Sequence, residues 1–135
     1  MKIKLIIISL VTCLFSQSVI ACETPNLEDS KEFDGVDCFY DGFARVMQKG
    51  KWNHINSKGQ KISEVDFDYA WEFHEGMAAV EIKNKWGFIN QSGQIAIPLK
   101  YDYVWDFRDG QALVRLDGRS FYIDSTGSII KKTND

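Results

Sequence analysis

The sequence predicts an all-β protein: an antiparallel β-meander of three tandem 34-residue units, arranged like a solenoid or a barrel. First, shifting the chain by 34 residues superposes three Phe-x-x-Gly-x-Ala-x-Val runs without a gap, starting at Phe39, Phe73 and Phe107. Second, apolar and variable residues alternate within each run, and turn-forming residues recur at the same phase. Third, 44% hydrophobic and 13% aromatic residues in a chain of 135 give enough apolar surface for one folded domain.

Residues 1–21 have the pattern of a cleavable secretory signal peptide. Two lysines precede an apolar stretch from Leu5 to Phe15, and a polar Ser-Gln-Ser stretch follows. Val19 and Ala21 are the small residues expected before a cut after Ala21. Since the apolar stretch is too short to span a bilayer, we expect an exported protein, either periplasmic or secreted.

Residues 22–38 are predicted to form an acidic N-terminal segment that carries a cysteine pair. In an oxidising compartment Cys22 and Cys38 are expected to form a disulfide. The loop that it closes, of about 16 residues, would stabilise the fold by roughly 3 kcal/mol. The alternative is a lipoprotein, because Val19 to Cys22 resembles a lipobox, and only acylation of Cys22 would attach the chain to a membrane.

The charge of the chain argues against nucleic acid as a partner. Loss of Lys2 and Lys4 with the leader would leave 14 basic and 19 acidic residues, a net charge of −5. Binding to phosphate backbones needs a stripe of Lys or Arg, whereas the basic residues here alternate with acids.

Within the domain 39–135, the repeats are taken as 39–72, 73–106 and 107–130. Each begins with a strand whose Ala and Val face inward. A tight hairpin turn follows, built on residues that accept positive φ, such as Lys49-Gly50, and then a second strand such as Trp52 to Ile55.

Each second strand ends in a four-residue turn with Asn or Asp first and Gly fourth, as in Asn56 to Gly59. A third strand is expected to start at Gln60, Gln94 or Ser128, and Pro98 suits a strand end or an edge strand. An aromatic connector then leads to the next repeat.

These residues resemble the WG-repeat family, whose units carry a Trp-Gly-Phe-Ile-Asn strand, an Asn-x-x-Gly turn and a Tyr-Asp tail. Trp86 to Asn90 match the strand motif in full, and the resemblance covers about residues 39 to 130. The first copy departs with Trp52-Asn53-His54 and the third with Ser120-Phe121-Tyr122. The resemblance implies an interaction module and brings no catalytic residues.

The candidate catalytic and metal-binding residues all have structural interpretations. His54 occupies the position of Phe88 and Tyr122 and is expected to fill an aromatic slot, while His74 is expected to be solvent-exposed. Asp68 and Asp102 recur at the repeat period, which favours a role in turns over acid–base catalysis. We expect no catalytic residue, no metal site and no cofactor.

The connector aromatics are expected to be mostly core, because thin β-units need aromatic packing between them. The alternative is a groove that stacks sugars or side chains of a partner. Its candidate ligand-contacting residues are the connector aromatics and their neighbouring acids: Trp71, Trp105, Tyr69, Tyr103, Glu72 and Asp106.

The sequence therefore predicts an exported, non-enzymatic binding or interaction module of the bacterial cell envelope, whose partner, a protein or a cell-wall glycan, it does not identify. The first alternative is a module that binds glycan or peptidoglycan through the connector tryptophans. The second is an enzyme, which would need His54, Asp68 and a serine to converge in one cleft.

Overall fold

The computed structural model describes residues 32–133. Their eleven strands form three antiparallel sheets, which we call units 1, 2 and 3. In chain order the strands are β1 Gly35–Val36, β2 Ala44–Gln48 and β3 Lys51–Ile55 in unit 1; β4 Tyr69–His74, β5 Met77–Ile82, β6 Lys85–Asn90 and β7 Ile95–Tyr101 in unit 2; β8 Tyr103–Val104, β9 Gln111–Leu116, β10 Arg119–Asp124 and β11 Ile129–Lys132 in unit 3. The predicted all-β meander of three tandem repeats is confirmed.

Sheets and sequence repeats share the 34-residue period but differ in phase. Strands β1, β4 and β8 are equivalent, and each opens its sheet by pairing with the strand that carries the buried Ala and Val. The residues predicted to connect one repeat to the next thus include the first strand of the next sheet. Gly35–Val36, inside the acidic segment 22–38, is likewise the first strand of unit 1.

The hairpin turns adopt the conformation that their composition predicts. In each unit both central turn residues have positive φ, as in type I′ turns. The pairs are Lys49 (52°) with Gly50 (74°), Lys83 (51°) with Asn84 (61°), and Asp117 (51°) with Gly118 (76°).

In each unit, one aspartate just before the first strand accepts a hydrogen bond from this hairpin turn, a contact that we call the aspartate clasp. Its Oδ2 accepts a hydrogen bond from the first turn amide, 15 residues further on. The three clasps are Asp34 with Lys49 N (2.6 Å), Asp68 with Lys83 N (2.7 Å) and Asp102 with Asp117 N (2.8 Å). The predicted turn role of Asp68 and Asp102 is therefore confirmed, and Asp34 joins them.

The second turn of each unit is held by its first side chain. Asn56 Oδ1 accepts from the amides of Lys58 (3.0 Å) and Gln60 (3.1 Å), and Gly59 N donates to the Asn56 carbonyl (2.9 Å). Asn90 and Asp124 repeat this arrangement in units 2 and 3.

Three apolar clusters lie along the stack of units. The inward Ala, Val and Ile of each unit pack with apolar residues that lie just before, in or just after its first strand: Ala44, Val46, Ile55 with Phe33, Val36, Phe39; Ala78, Val80, Ile89 with Phe67, Ala70, Phe73; and Ala112, Val114, Ile123 with Tyr101, Val104, Phe107, where Tyr101 is the last residue of β7. The second cluster adds Phe43 and Trp52 from unit 1, and the third adds Met77, Ala79, Trp86 and Phe88 from unit 2. The central sheet is therefore covered on both faces.

At Gly87 the backbones of β6 and β7 approach each other closely. The pairing of β6 with β7 shifts register between Trp86 and Phe88, so the β7 backbone bulges over Gly87. A Cβ at Gly87 would lie within 3.0 Å of backbone atoms of Ile97, Pro98 and Leu99. Pro98 lies in this bulge of an edge strand, where its missing N–H is tolerated.

Unit 1 solves the same packing problem with Asn53, the residue equivalent to Gly87. Instead of a third strand, residues 62–66 form a loop between the Ile55–Lys61 and Trp52–Phe67 bridges. The buried Asn53 amide nitrogen donates to Ser63 O (2.9 Å), Val65 O (3.2 Å) and Asp66 Oδ1 (2.8 Å). A side chain thus holds a loop where unit 2 holds a strand.

Residues 32–133 contain no helical segment with the length and hydropathy of a membrane span.

Candidate functional site

An aromatic ladder runs along one side of the stack. Its members are spaced by 17 residues, half the repeat period, and their ring centroids are 5.7 to 6.0 Å apart: Trp52, Tyr69, Trp86 and Tyr103. Trp71 branches from it, with edge-to-face contacts to Trp86 (5.5 Å) and Tyr103 (5.9 Å). The ladder ends at Trp105, whose ring is 4.7 Å from that of Tyr103.

Burial divides this ladder into a packed part and an open part. Trp86 is buried and Trp71 half-buried, so these rings serve as core between units 2 and 3. Tyr69, Tyr103 and Trp105 remain 41%, 37% and 42% exposed. Because tryptophan and tyrosine are large apolar side chains, this open part is the strongest candidate for a binding surface.

Trp105 lies between two depressions of unit 3. One, of about 520 Å³, is lined by Tyr103 and Trp105 with Asp102, Arg115 and Gly118. The other, of about 330 Å³, is lined by Trp105, Asp106, Arg108, Asp109, Gln111, Leu113 and Tyr122. The indole thus forms a ridge between two grooves with charged rims.

The position of Trp105 in the stack explains its exposure. Trp105 is the equivalent of Trp71, which Tyr103 of the following unit covers. In the described chain no further unit follows unit 3, so the face that carries Trp105 has no such cover. We call the face carrying Trp105, Leu113 and Tyr122 the end face.

The two acids predicted to flank the aromatics contact basic side chains across unit boundaries. Glu72 Oε1 lies 3.0 Å from Arg45 Nη2, and Asp106 Oδ2 lies 3.4 Å from His74 Nε2. Burial raises the pKa of the Asp106 carboxyl above its usual value, an effect that His74 opposes. Of the two, Asp106 adjoins the Trp105 surface and Glu72 does not line it.

A third groove, of about 490 Å³, lies at the boundary of units 1 and 2. It is lined by Val36, Asp37, Cys38, Tyr40, Arg45, Glu72 and His74. Arg45 organises it, since its guanidinium pairs with Asp37 and Glu72 and lies 5.1 Å from the Trp52 ring. The charges in this groove are already paired with one another.

The prediction that His74 is merely solvent-exposed is wrong. Its ring is half-buried, pairs with Asp106 and lies 5.1 Å from the Tyr40 ring at a tilted angle. The variable character of this position hid the contact, because both partners are distant in sequence.

His54 occupies the aromatic slot that the repeat predicts. It is 1% exposed, and its ring lies edge-on to Phe73 at 4.9 Å, as Phe88 does to Phe107 at 4.9 Å. Its Nε2–H donates to Trp71 O (2.7 Å), while Nδ1 is buried without a hydrogen-bond partner. Burial lowers the pKa of His54 to about 4.

The recurring carboxylates lie at the surface, Asp68 half-buried and Asp102 exposed, and both are engaged in structural contacts. Asp68 Oδ1 pairs with Lys51, and Asp102 Oδ1 with Lys85 (2.6 Å). The hydrogen bond from Lys51 lowers the pKa of Asp68, and the one from Lys85 lowers that of Asp102. In the region 32–133, no group of three or more His, Cys, Asp or Glu is placed to hold a metal ion.

Some predicted sites lie outside the described residues. These are the signal peptide, its cleavage after Ala21, and Cys22. The pairing of Cys22 with Cys38, and the lipidation alternative, remain predictions.

The structural role of Arg45 was not predictable from the repeat, because the equivalent residues of the other two units are Ala79 and Leu113. The 17-residue spacing of the aromatic ladder, half of the repeat period, was also not predicted. The spacing of 17 residues in Trp52, Tyr69 and Trp86, and in the Lys51–Asp68 pair, was the signal that could have found it.

Comparison with known families agrees with the repeat geometry. A family model described as WG containing repeat matches residues 30–52, 55–86 and 86–119. Neither the curated proteins nor the solved structures gave a match. Since three consecutive matches span more than half of the chain, the protein belongs to the WG-repeat family.

Proposed function

We propose that this protein is a non-enzymatic, exported binding module of the bacterial cell envelope that recognises a protein partner through the surface around Trp105. The observation that carries the proposal is an exposed indole that lines two grooves at the end of the aromatic ladder.

The composition of this surface supports a protein partner. Interface hot spots are enriched in Trp, Tyr and Arg, and here Trp105 and Tyr103 adjoin Arg108 and Arg115. Asp102 belongs to the rim on one side and Asp106 to that on the other, so a partner with mixed charge would meet complementary groups. Because the rings pack on one another, little side-chain entropy would be lost on binding.

The non-enzymatic part of the proposal is supported by the structural contacts that the candidate catalytic residues make. The His54 ring is buried in the core, and the carboxylate of Asp68 holds Lys51 and the Lys83 amide. The exported part is supported by the leader-like pattern of residues 1–21.

The test is recovery of partners from envelope extract on immobilised protein. Trp105→Ala removes the indole, whereas Val65→Ala removes exposed apolar surface (49% exposed) from the unit 1 loop. We expect Trp105→Ala to weaken capture by about 30-fold or more, as for a hot-spot residue, and Val65→Ala to leave it unchanged. Equal capture by the wild type and both variants would refute a role for this surface.

A second candidate is glycan binding, because the exposed face of Trp105 could stack on a sugar ring. The Tyr103 and Trp105 rings meet at 75°, however, so only one of them can lie flat against a given sugar. Titration with muropeptides while following tryptophan fluorescence tests this alternative. A saturable change that Trp105→Ala abolishes would favour glycan over protein, and a flat titration would eliminate it.

A further inference from the structure

The two boundaries between units are built from the same contacts. At each one, a lysine at the start of β3 or β6 pairs with the clasp aspartate of the next unit. Lys51 pairs with Asp68 and Lys85 with Asp102. Since the Oδ2 of each aspartate holds its own hairpin, Oδ1 is left for the neighbour.

The aromatic contact across each boundary also repeats. His54 in unit 1 meets Phe73, and Phe88 in unit 2 meets Phe107, both at 4.9 Å between ring centroids and both edge-on. A boundary therefore has one cation and one ring on the leading unit, and one aspartate and one phenylalanine on the following unit.

Unit 3 presents the leading half of such a boundary, and no residue from 32 to 133 supplies the following half. Arg119 occupies the position of Lys85, and Tyr122 that of Phe88. Arg119 is exposed and forms no ion pair with any residue from 32 to 133, and Tyr122 is only half-buried, whereas Phe88 is fully buried.

Unit 1 presents the following half. Asp34 and Phe39 occupy the positions of Asp68 and Phe73. Asp34 holds the Lys49 amide through Oδ2 and makes no ion pair within the described region. Phe39 is half-buried, whereas Phe73 is 1% exposed.

The charges at the two ends are also complementary. All charged residues of the opening segment of unit 1, residues 32–43, are acidic: Glu32, Asp34, Asp37 and Asp41. Of these, Asp37 already pairs with Arg45. Along the described chain, five cations of unit 3 form no ion pair: Arg108, Arg115, Arg119, Lys131 and Lys132. Attraction between these ends would orient two copies head to tail.

We propose that the end face of unit 3 receives the opening segment of unit 1 from a second copy of this chain. In that contact Arg119 pairs with Asp34 of the second copy, and Tyr122 packs against Phe39 of the second copy. This inference rests on the proposed function, because it names a partner for the same Trp105-bearing surface.

The composition of the end face makes this association reversible. Three apolar positions of unit 2 become polar in unit 3, with Met77, Trp86 and Ile97 replaced by Gln111, Ser120 and Lys131. Less apolar area is therefore buried between copies than between units of one chain. Because the contact is heterologous, it produces open chains or rings rather than a symmetric dimer.

The experiment is sedimentation velocity of the purified full chain over a range of concentrations, with two charge-reversal variants. Arg119→Asp and Asp34→Arg each place like charges at the contact. We expect each variant alone to associate at least about ten-fold more weakly than the wild type, since a close like-charge pair is repulsive.

A mixture of the two variants should recover association. Unit 3 of the Arg119→Asp protein then meets unit 1 of the Asp34→Arg protein with opposite charges. Unit 3 of the Asp34→Arg protein meets unit 1 of the Arg119→Asp protein through the native pair. Lys58→Asp, at an exposed turn of unit 1, is the matched charge control and should associate like the wild type. Circular dichroism confirms that each variant is folded, which matters most for Asp34→Arg because Asp34 clasps a hairpin.

Wild-type protein that stays monomeric at millimolar concentration would overturn this inference, as would a mixture that fails to recover association. If Trp105-dependent capture from envelope extract persists in that case, the proposed function stands with a different partner. If capture is also independent of Trp105, both fail.

Discussion

Units 1 and 2 differ in how they pack one equivalent position of the repeat, which is Asn53 in unit 1 and Gly87 in unit 2. In unit 2, Gly87 lets the β7 backbone pass within a distance that any Cβ would block. In unit 1, Asn53 fills that space and holds the loop 62–66 with its amide. In unit 2 the glycine of the Trp-Gly motif is thus required by the close approach of the β7 backbone, and in unit 1 it is dispensable because a loop replaces the third strand.

The largest expected effect comes from Gly87→Asn, which gives unit 2 the residue of unit 1. The new side chain would collide with backbone atoms of Pro98 and its neighbours, which no rotamer can avoid. We expect a loss of about 3 kcal/mol or more in the free energy of unfolding, measured by urea denaturation. Gly87→Ala should be nearly as damaging, because the collision begins at Cβ; a tolerated alanine would contradict this account.

The reverse change, Asn53→Gly, should be smaller but still substantial. It removes a buried amide, leaves Ser63 O without its donor, and adds the backbone freedom of glycine. We expect a loss of about 2 to 3 kcal/mol by the same measurement. If stability is unchanged, the loop 62–66 is held by contacts other than Asn53.

The smallest of the three effects concerns the next residue of the same strand, His54 in unit 1 against Phe88 in unit 2. Because its pKa falls from 6.5 to about 4 on folding, the unfolded chain binds the proton more tightly. This residue therefore contributes no penalty near pH 7, and destabilises the fold as pH falls below 6.5 toward 4. Between pH 7 and pH 5 we expect a loss of about 2 kcal/mol.

His54→Phe tests this directly, since Phe88 shows that phenylalanine fits the slot. The variant should lose about 2 kcal/mol less than the wild type when the free energy of unfolding is compared at pH 7 and pH 5. Parallel pH profiles for the two proteins would show that His54 titrates normally in the folded state.

The comparison also shows which features a sequence can predict. The inward Ala44 and Val46, the positive-φ hairpin turns and the Asn56 turn follow from local residue types repeated at a fixed period, so they were predictable. The aromatic slot of His54 followed from aligning the repeats.

Other features depend on contacts between distant segments. The steric need for Gly87 arises from a bulge in β7, and the His74–Asp106 pair joins two different units. Neither has a local signature. In the candidate site, the aromatic residues were predictable from their recurrence, but the exposure of Trp105 depends on its place at the end of the stack.

The aspartate clasps bear on the order in which the chain folds. Each one joins residues only 15 apart and lies within a single hairpin-bearing unit. Every strand pair also links neighbours in sequence, so the loops closed by strand pairing are short and cost little entropy. We expect a nascent chain to complete unit 1 before unit 3 has been made, with each finished unit serving as the template for the next.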